Sequence, residues 1–122
     1  KIILTERGTQ FGYTDLIFDV RSIPKMKSLK VPVVLDVTHS LQSPNQTCGV
    51  TGGDPSMISS LAAAGVACGI DGIFVETHPR PHDALSDGSN MLPLDKMESL
   101  IRRIIAFREA YVKFEKEIQQ PT

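Results

Sequence analysis

Several absences narrow this chain before any motif is read. No apolar run approaches the roughly 18 residues that a membrane-spanning helix needs. Lys and Arg number 13 against 14 Asp and Glu, a net charge of −1 that gives no electrostatic footprint for a nucleic acid or an anionic membrane. There are only two cysteines, Cys48 and Cys68, and their spacing makes neither a CxxC nor any other metal pair. In an intracellular protein two isolated cysteines are most often reduced. Asn45-Gln46-Thr47 fits a glycosylation sequon, but there is no signal-peptide pattern to go with it, and the chain does not begin with Met. No P-loop, dinucleotide fingerprint, internal repeat or low-complexity tract is present. With 41% hydrophobic and 22% charged residues, the composition is that of an ordinary globular chain, and the length suits one domain or part of one.

The remaining pattern is an alternation of strands and helices. Lys1 to Glu6 reads as a strand ended by Arg7-Gly8-Thr9, so the chain starts inside an element. Ser22 to Leu29 reads as a short helix with Pro24 in its first turn. Val31 to His39 is β-branched and nearly all apolar, as befits a strand buried on both faces. The loop Ser40 to Asp54 is rich in turn formers, and Asp54-Pro55 is a good helix start, with Asp as N-cap and Pro at the first helical position. The helix is expected from about Pro55 to Cys68, with Gly69 as its stop. Gly72 to Thr77 is a third strand, His78 to Pro93 a loop, and Leu94-Asp95 opens a long helix to about Ile118. Met97, Leu100, Ile101, Ile104, Phe107, Tyr111 and Phe114 recur on it at helical steps. Gln119 to Thr122 should fray. The order is the βα repeat of a parallel α/β sheet. Three strands cannot close a barrel, which needs eight. The expected fold class is therefore the C-terminal three βα units of a (β/α)8 TIM barrel, with residues 1–122 forming part of one barrel domain. A complete three-strand sandwich is the alternative.

In parallel α/β proteins the active face lies at the C-terminal strand ends. His39 ends one strand, Glu76 lies at the end of another, and Asp87 follows in the loop Ser86-Asp87-Gly88-Ser89. One imidazole and two carboxylates suit a borderline divalent metal such as zinc, manganese or iron. The competing readings are a purely structural His39 and a Glu76 paired with Arg7 or Arg80. Arg7 offers a forked donor for phosphate or carboxylate, or else a salt bridge to Glu6 or Glu76. Thr51-Gly52-Gly53 precedes a helix N-terminus and is either an anion site or a plain flexible loop. His78 and His82 need no function as surface histidines.

Together these segments form a familiar set. Leu4-Thr5-Glu6-Arg7-Gly8-Thr9-Gln10-Phe11-Gly12-Tyr13 resembles the LTERG(T/S)-x-FGY stretch of the 3-deoxy-D-manno-octulosonate 8-phosphate synthase family. Asp36-Val37-Thr38-His39-Ser40-Leu41-Gln42 resembles its DATHS-hydrophobic-Q stretch, and Thr51-Gly52-Gly53 stands where the family has SGG. Phe74-Val75-Glu76-Thr77-His78-Pro79, Ala84-Leu85-Ser86-Asp87-Gly88-Ser89 and Leu92-Pro93-Leu94 resemble its E(T/A)HP and (S/C)DG…LPL stretches. The resemblance runs in order along nearly the whole chain. It implies a (β/α)8 barrel that condenses phosphoenolpyruvate with arabinose 5-phosphate, for lipopolysaccharide synthesis in Gram-negative bacteria or a cell-wall sugar in plants. It also implies a cytoplasmic homotetramer with no membrane or nucleic-acid partner.

Carried over residue by residue, Arg7 matches an arginine that binds phosphoenolpyruvate. His39, Glu76 and Asp87 match three of the four metal positions of the metal-dependent class and are the implied catalytic set. The fourth ligand there is a cysteine near the N-terminus of the full-length family members, so neither Cys48 nor Cys68 takes that role. Thr51 matches a serine that helps bind the sugar phosphate, and Gln42 matches a site glutamine. Metal-independent members tend to read Cys-Asp-Gly-Pro where this chain reads Ser86-Asp87-Gly88-Ser89, which favours the metal-dependent class. The rival assignments are the sister enzyme that makes 3-deoxy-arabino-heptulosonate 7-phosphate from a four-carbon sugar, and an inert barrel fragment or binding module.

Overall fold

The structure, a computed structural model, describes residues 1–44 and 51–118. The sequon at Asn45, Cys48 and residues 119–122 lie outside the described residues. The centre of the molecule is a parallel sheet in the order β1 (Leu4–Glu6), β2 (Val33–Asp36), β5 (Gly72–Phe74). The register sets Glu6 opposite Leu35, and Asp36 opposite Phe74. All three strands therefore end at one edge of the sheet, from which the chain leaves through Arg7, Val37 and Val75. The helices between the strands are α1 (Ser22–Lys27) and α2 (Ile58–Ala67), and α3 (Met97–Ile118) follows the last strand and packs chiefly on α2. The expected alternation of strand and helix is the one observed.

The core lies between the sheet and these helices. Val33, Leu35 and Val37 alternate along β2 and its extension, and all are fully buried with Ile23 of α1 and Ile58 and Ala62 of α2, while Val66 of α2 is buried beside them. Small residues let α2 come close. A methyl group added to Gly65 would sit 2.5 Å from a Leu35 methyl, so contact at this point needs a residue with no side chain. Gly69, at φ +85°, ends α2 in the left-handed conformation, where the stop is expected. Asp71 joins three elements. Its carboxylate accepts from Lys27 Nζ at 2.9 Å and from the Val33 N–H at 2.9 Å. Burial raises the Asp71 carboxyl's pKa, but these two donors and the Lys27 charge outweigh it and hold the group below its usual range.

Several boundaries differ from expectation, each for a local reason. The strand expected to reach His39 ends at Asp36, because the Asp36 side chain takes over the next backbone donors and turns the chain into a 3-10 helix at His39–Leu41. The strand expected to reach Thr77 pairs with β2 only through Phe74. Thr77–His78 (β6) then forms a separate parallel pair with Leu92–Pro93 (β7). The loop after His39 contains a short antiparallel pairing of Gln42–Ser43 (β3) with Gly52–Gly53 (β4), a pairing that turn formers alone do not announce. The two later helices open with 3-10 turns at Pro55–Met57 and Leu94–Lys96, and Asp54 caps the first by accepting from the Ser56 N–H. On α3, Leu100 is buried and Met97 and Ile104 pack on the core. Ile101, Phe107 and Phe114 on the same helix are exposed. The apolar stripe is therefore wider than the surface the described residues offer it.

Candidate metal centre

The outgoing edge of the sheet gathers the three residues singled out in the sequence. His39, Glu76 and Asp87 each offer a ligand atom, and these atoms all lie within 4.8 Å of one another. His39 is held by the turn after β2, Glu76 by the segment after β5, and Asp87 by the loop before β7. His39 Nε2 lies 3.4 Å from Glu76 Oε1. Ligands bound to one ion at about 2.1 Å lie roughly 3–4 Å apart, so shifts of about an ångström would let these atoms meet a single ion.

The local sequence explains why each side chain faces inwards. The Asp36 carboxylate is buried where β2 ends. One of its oxygens accepts from the N–H groups of Thr38 and His39, at 3.0 and 2.9 Å, and the other lies 2.7 Å from His39 Nδ1. The His39 ring stacks on Phe74 of β5, with centroids 5.8 Å apart. Thr38, fully buried, accepts the Glu76 N–H on its hydroxyl at 2.7 Å, which ties the segment after β5 to the turn after β2. Asp87 adopts φ +53°, a left-handed conformation that Asp tolerates better than most residues. Its carboxylate accepts from Gln42 Nε2 at 3.1 Å, and its carbonyl accepts from the Asn90 N–H at 2.8 Å.

The donor set fits a divalent cation. With Nδ1–H donating to Asp36, the second nitrogen of a neutral His39 presents a lone pair to a Glu76 oxygen. A divalent cation between Nε2 and the Glu76 oxygen would satisfy both acceptors. Imidazole and carboxylate ligands suit zinc, manganese and iron alike. Glu76 makes no ion pair with Arg7 or Arg80 among the described residues: Arg80 pairs with Asp83, and Glu76 faces His39.

The substrate-side candidates are more dispersed. Arg7 is exposed just beyond β1, at the same edge of the sheet, and forms no salt bridge among the described residues. Glu6 is buried instead and accepts the Gly8 N–H. Gln42 is in direct contact with the metal-ligand candidate Asp87. Thr51 is exposed and lines a cleft with Ser86, Asp87 and Ser89, and its carbonyl accepts from the Ser89 hydroxyl. His78 and His82 stand apart from the cluster, His78 against the Arg80 backbone and His82 beside Asp83. Cys68 is a free, half-buried thiol at the end of α2, and burial pushes its pKa up.

The sequence reading missed Asp36 and Thr38, which hold two of the three ligand candidates in place. An acid inside an otherwise apolar strand, three residues before a histidine, was the available signal. A buried carboxylate is costly unless it is paired.

Comparison with known proteins agrees with the motifs. The chain is 50% identical over 106 residues to a protein of Nitratidesulfovibrio vulgaris (strain DP4) named 2-dehydro-3-deoxyphosphooctonate aldolase, covering 87% of this chain and 39% of that protein. It is 49% identical over 114 residues to the like-named protein of Legionella pneumophila (strain Lens), covering 93% and 42%. A Brucella ovis protein of the same name is 47% identical over 106 residues, covering 87% and 38%. The chain thus spans about two fifths of the length of these curated relatives. The model of the DAHP synthetase I family matches residues 1–111. With that match covering nearly all of its length, the chain belongs to the DAHP synthetase I family.

Proposed function

We propose that this chain is the C-terminal part of a (β/α)8 barrel enzyme that joins phosphoenolpyruvate to arabinose 5-phosphate. The products are 3-deoxy-D-manno-octulosonate 8-phosphate and inorganic phosphate. The observation that carries the reading is the convergence of His39, Glu76 and Asp87 at the outgoing edge of a parallel sheet. The family membership and the relatives' shared name support it. Residues 1–122 would supply three of the eight βα units of one barrel domain. The reading includes a cytoplasmic homotetramer working in the synthesis of a lipopolysaccharide sugar. Among the described residues no helix is long and apolar enough to cross a membrane.

The reaction sets the roles. Both substrates carry phosphate and one also carries a carboxylate, so forked cationic donors are needed. Arg7 would bind phosphoenolpyruvate, and Thr51 would offer its hydroxyl to the sugar phosphate. The enol carbon attacks the sugar aldehyde, whose oxygen takes up a proton. Water adds at the neighbouring carbon and loses a proton, and the bond from that carbon's side of the molecule to the phosphate group breaks to release inorganic phosphate. His39, Glu76 and Asp87 would hold a divalent ion, which when bound would supply Lewis acidity towards a carbonyl oxygen or a water. Glu76 or Asp87 would also exchange a proton with the reacting groups. Gln42 would steady Asp87 and meet a substrate hydroxyl.

Phosphate release by the full-length protein, with five- and four-carbon sugar phosphates as alternative acceptors, tests this. The expected preference for arabinose 5-phosphate over erythrose 4-phosphate is about 100-fold or more in kcat/KM, because a site built to pair a substrate hydroxyl strongly rejects an acceptor that lacks it. A preference for the four-carbon acceptor would assign the sister reaction. Binding of both substrates without turnover would mark an inert module.

A further inference from the structure

We infer that Asp36 is the positioning residue of the metal centre: it fixes the tautomer of His39 so that Nε2 is the coordinating nitrogen. The inference rests on the metal reading above and adds a residue to it. Its basis is the way one buried carboxylate is used. Oδ1 accepts the Thr38 and His39 N–H groups and so sets the course of the backbone through the turn. Oδ2 lies 2.7 Å from His39 Nδ1, and both side chains are mostly shielded, at 7% and 14% exposure. A carboxylate only accepts hydrogen bonds, so the proton of a neutral imidazole is drawn to Nδ1. Nε2, 3.4 Å from Glu76, is then left with its lone pair towards the cluster. Phe74 closes on the ring and restrains its rotation. Metal-bound histidines commonly donate their second nitrogen to such an outer carboxylate, and loss of that partner costs about 10–100-fold in metal affinity.

Asp36→Asn separates position from shape. The side chain keeps its size and one acceptor oxygen for the backbone, but an amide N–H can then face Nδ1. That favours the opposite tautomer and puts a proton on Nε2. The test is titration of the metal-free full-length protein with cobalt(II) alone, followed by its visible absorption. Wild type is expected to show tetrahedral-type bands, His39→Ala to lose them, and Asp36→Asn to bind 10–100-fold more weakly with shifted bands. A wild type that does not bind cobalt would overturn the metal reading itself. Binding by wild type that is lost in His39→Ala but unchanged in Asp36→Asn would overturn only the role of Asp36. Should Asp36→Asn fail to fold, imidazole 15N shifts of the unaltered zinc-loaded protein decide the matter. Protonated Nδ1 with coordinated Nε2 supports the assignment, and coordination through Nδ1 refutes it.

Discussion

Replacing His39 by alanine is expected to abolish metal-stimulated turnover of the full-length protein while leaving its fold intact. His39 sits in the turn after β2, outside the packed core, so its removal opens no large apolar cavity. It does remove the only nitrogen donor of a three-residue set. A bound metal contributes several kcal/mol of charge stabilisation in reactions of this kind, and each 1.4 kcal/mol is a factor of ten. The expected fall in kcat/KM is therefore about a thousandfold or more, accompanied by loss of bound metal in elemental analysis. Circular dichroism should change little, whereas stability should fall by about 1–3 kcal/mol, because the buried Asp36 loses the partner of its second oxygen. Turnover that survives unchanged would remove His39 from the chemistry, and with it the metal reading.

The second large effect concerns stability. Leu35→Ala should destabilise the protein by about 4 kcal/mol, in the upper part of the 2–5 kcal/mol range for buried leucines. Leu35 is fully buried at the centre of β2. Its neighbour across the helix–sheet contact is Gly65, which has no side chain to move into the space, and the adjacent Ile70 is itself buried in the core. The cavity would thus persist. It also lies one residue before Asp36, so the turn that presents His39 should loosen as well, and activity should fall more steeply with temperature than in wild type. Denaturant titration gives the number directly. A loss under about 1 kcal/mol would mean that the core between β2 and α2 can collapse, contrary to the packing described here.

How much of this was legible in the sequence depends on which interactions decide each feature. The three central strands and their helices could be read because burial and periodicity govern them: the Val33–Asp36 run, the alanine-rich α2 stopped by Gly69, and the early turns of α3. The ends of the strands could not. Asp36 halts β2 by a side-chain hydrogen-bond pattern that hydropathy does not register, and the chain after Phe74 swaps partners to pair with Leu92–Pro93. Convergence of His39, Glu76 and Asp87 could be argued from strand ends because parallel sheets bring such ends together, although all three reach the site from turns and loops. The contact between Gln42 and Asp87 spans 45 positions, so no local pattern could announce it. The residue type of Arg7 left both an anion donor and a salt bridge open, and its assignment to phosphoenolpyruvate came from the resemblance. Arg7 is exposed just beyond β1, without a salt-bridge partner among the described residues.

The most direct measurement is anomalous diffraction from crystals of the full-length protein grown with manganese or zinc, collected across the metal's absorption edge. The account predicts one strong peak at about 2.0–2.2 Å from His39 Nε2 and from a carboxylate oxygen of both Glu76 and Asp87. A fully active, crystallised enzyme with no peak between those three side chains, or with its metal bound elsewhere, would contradict it.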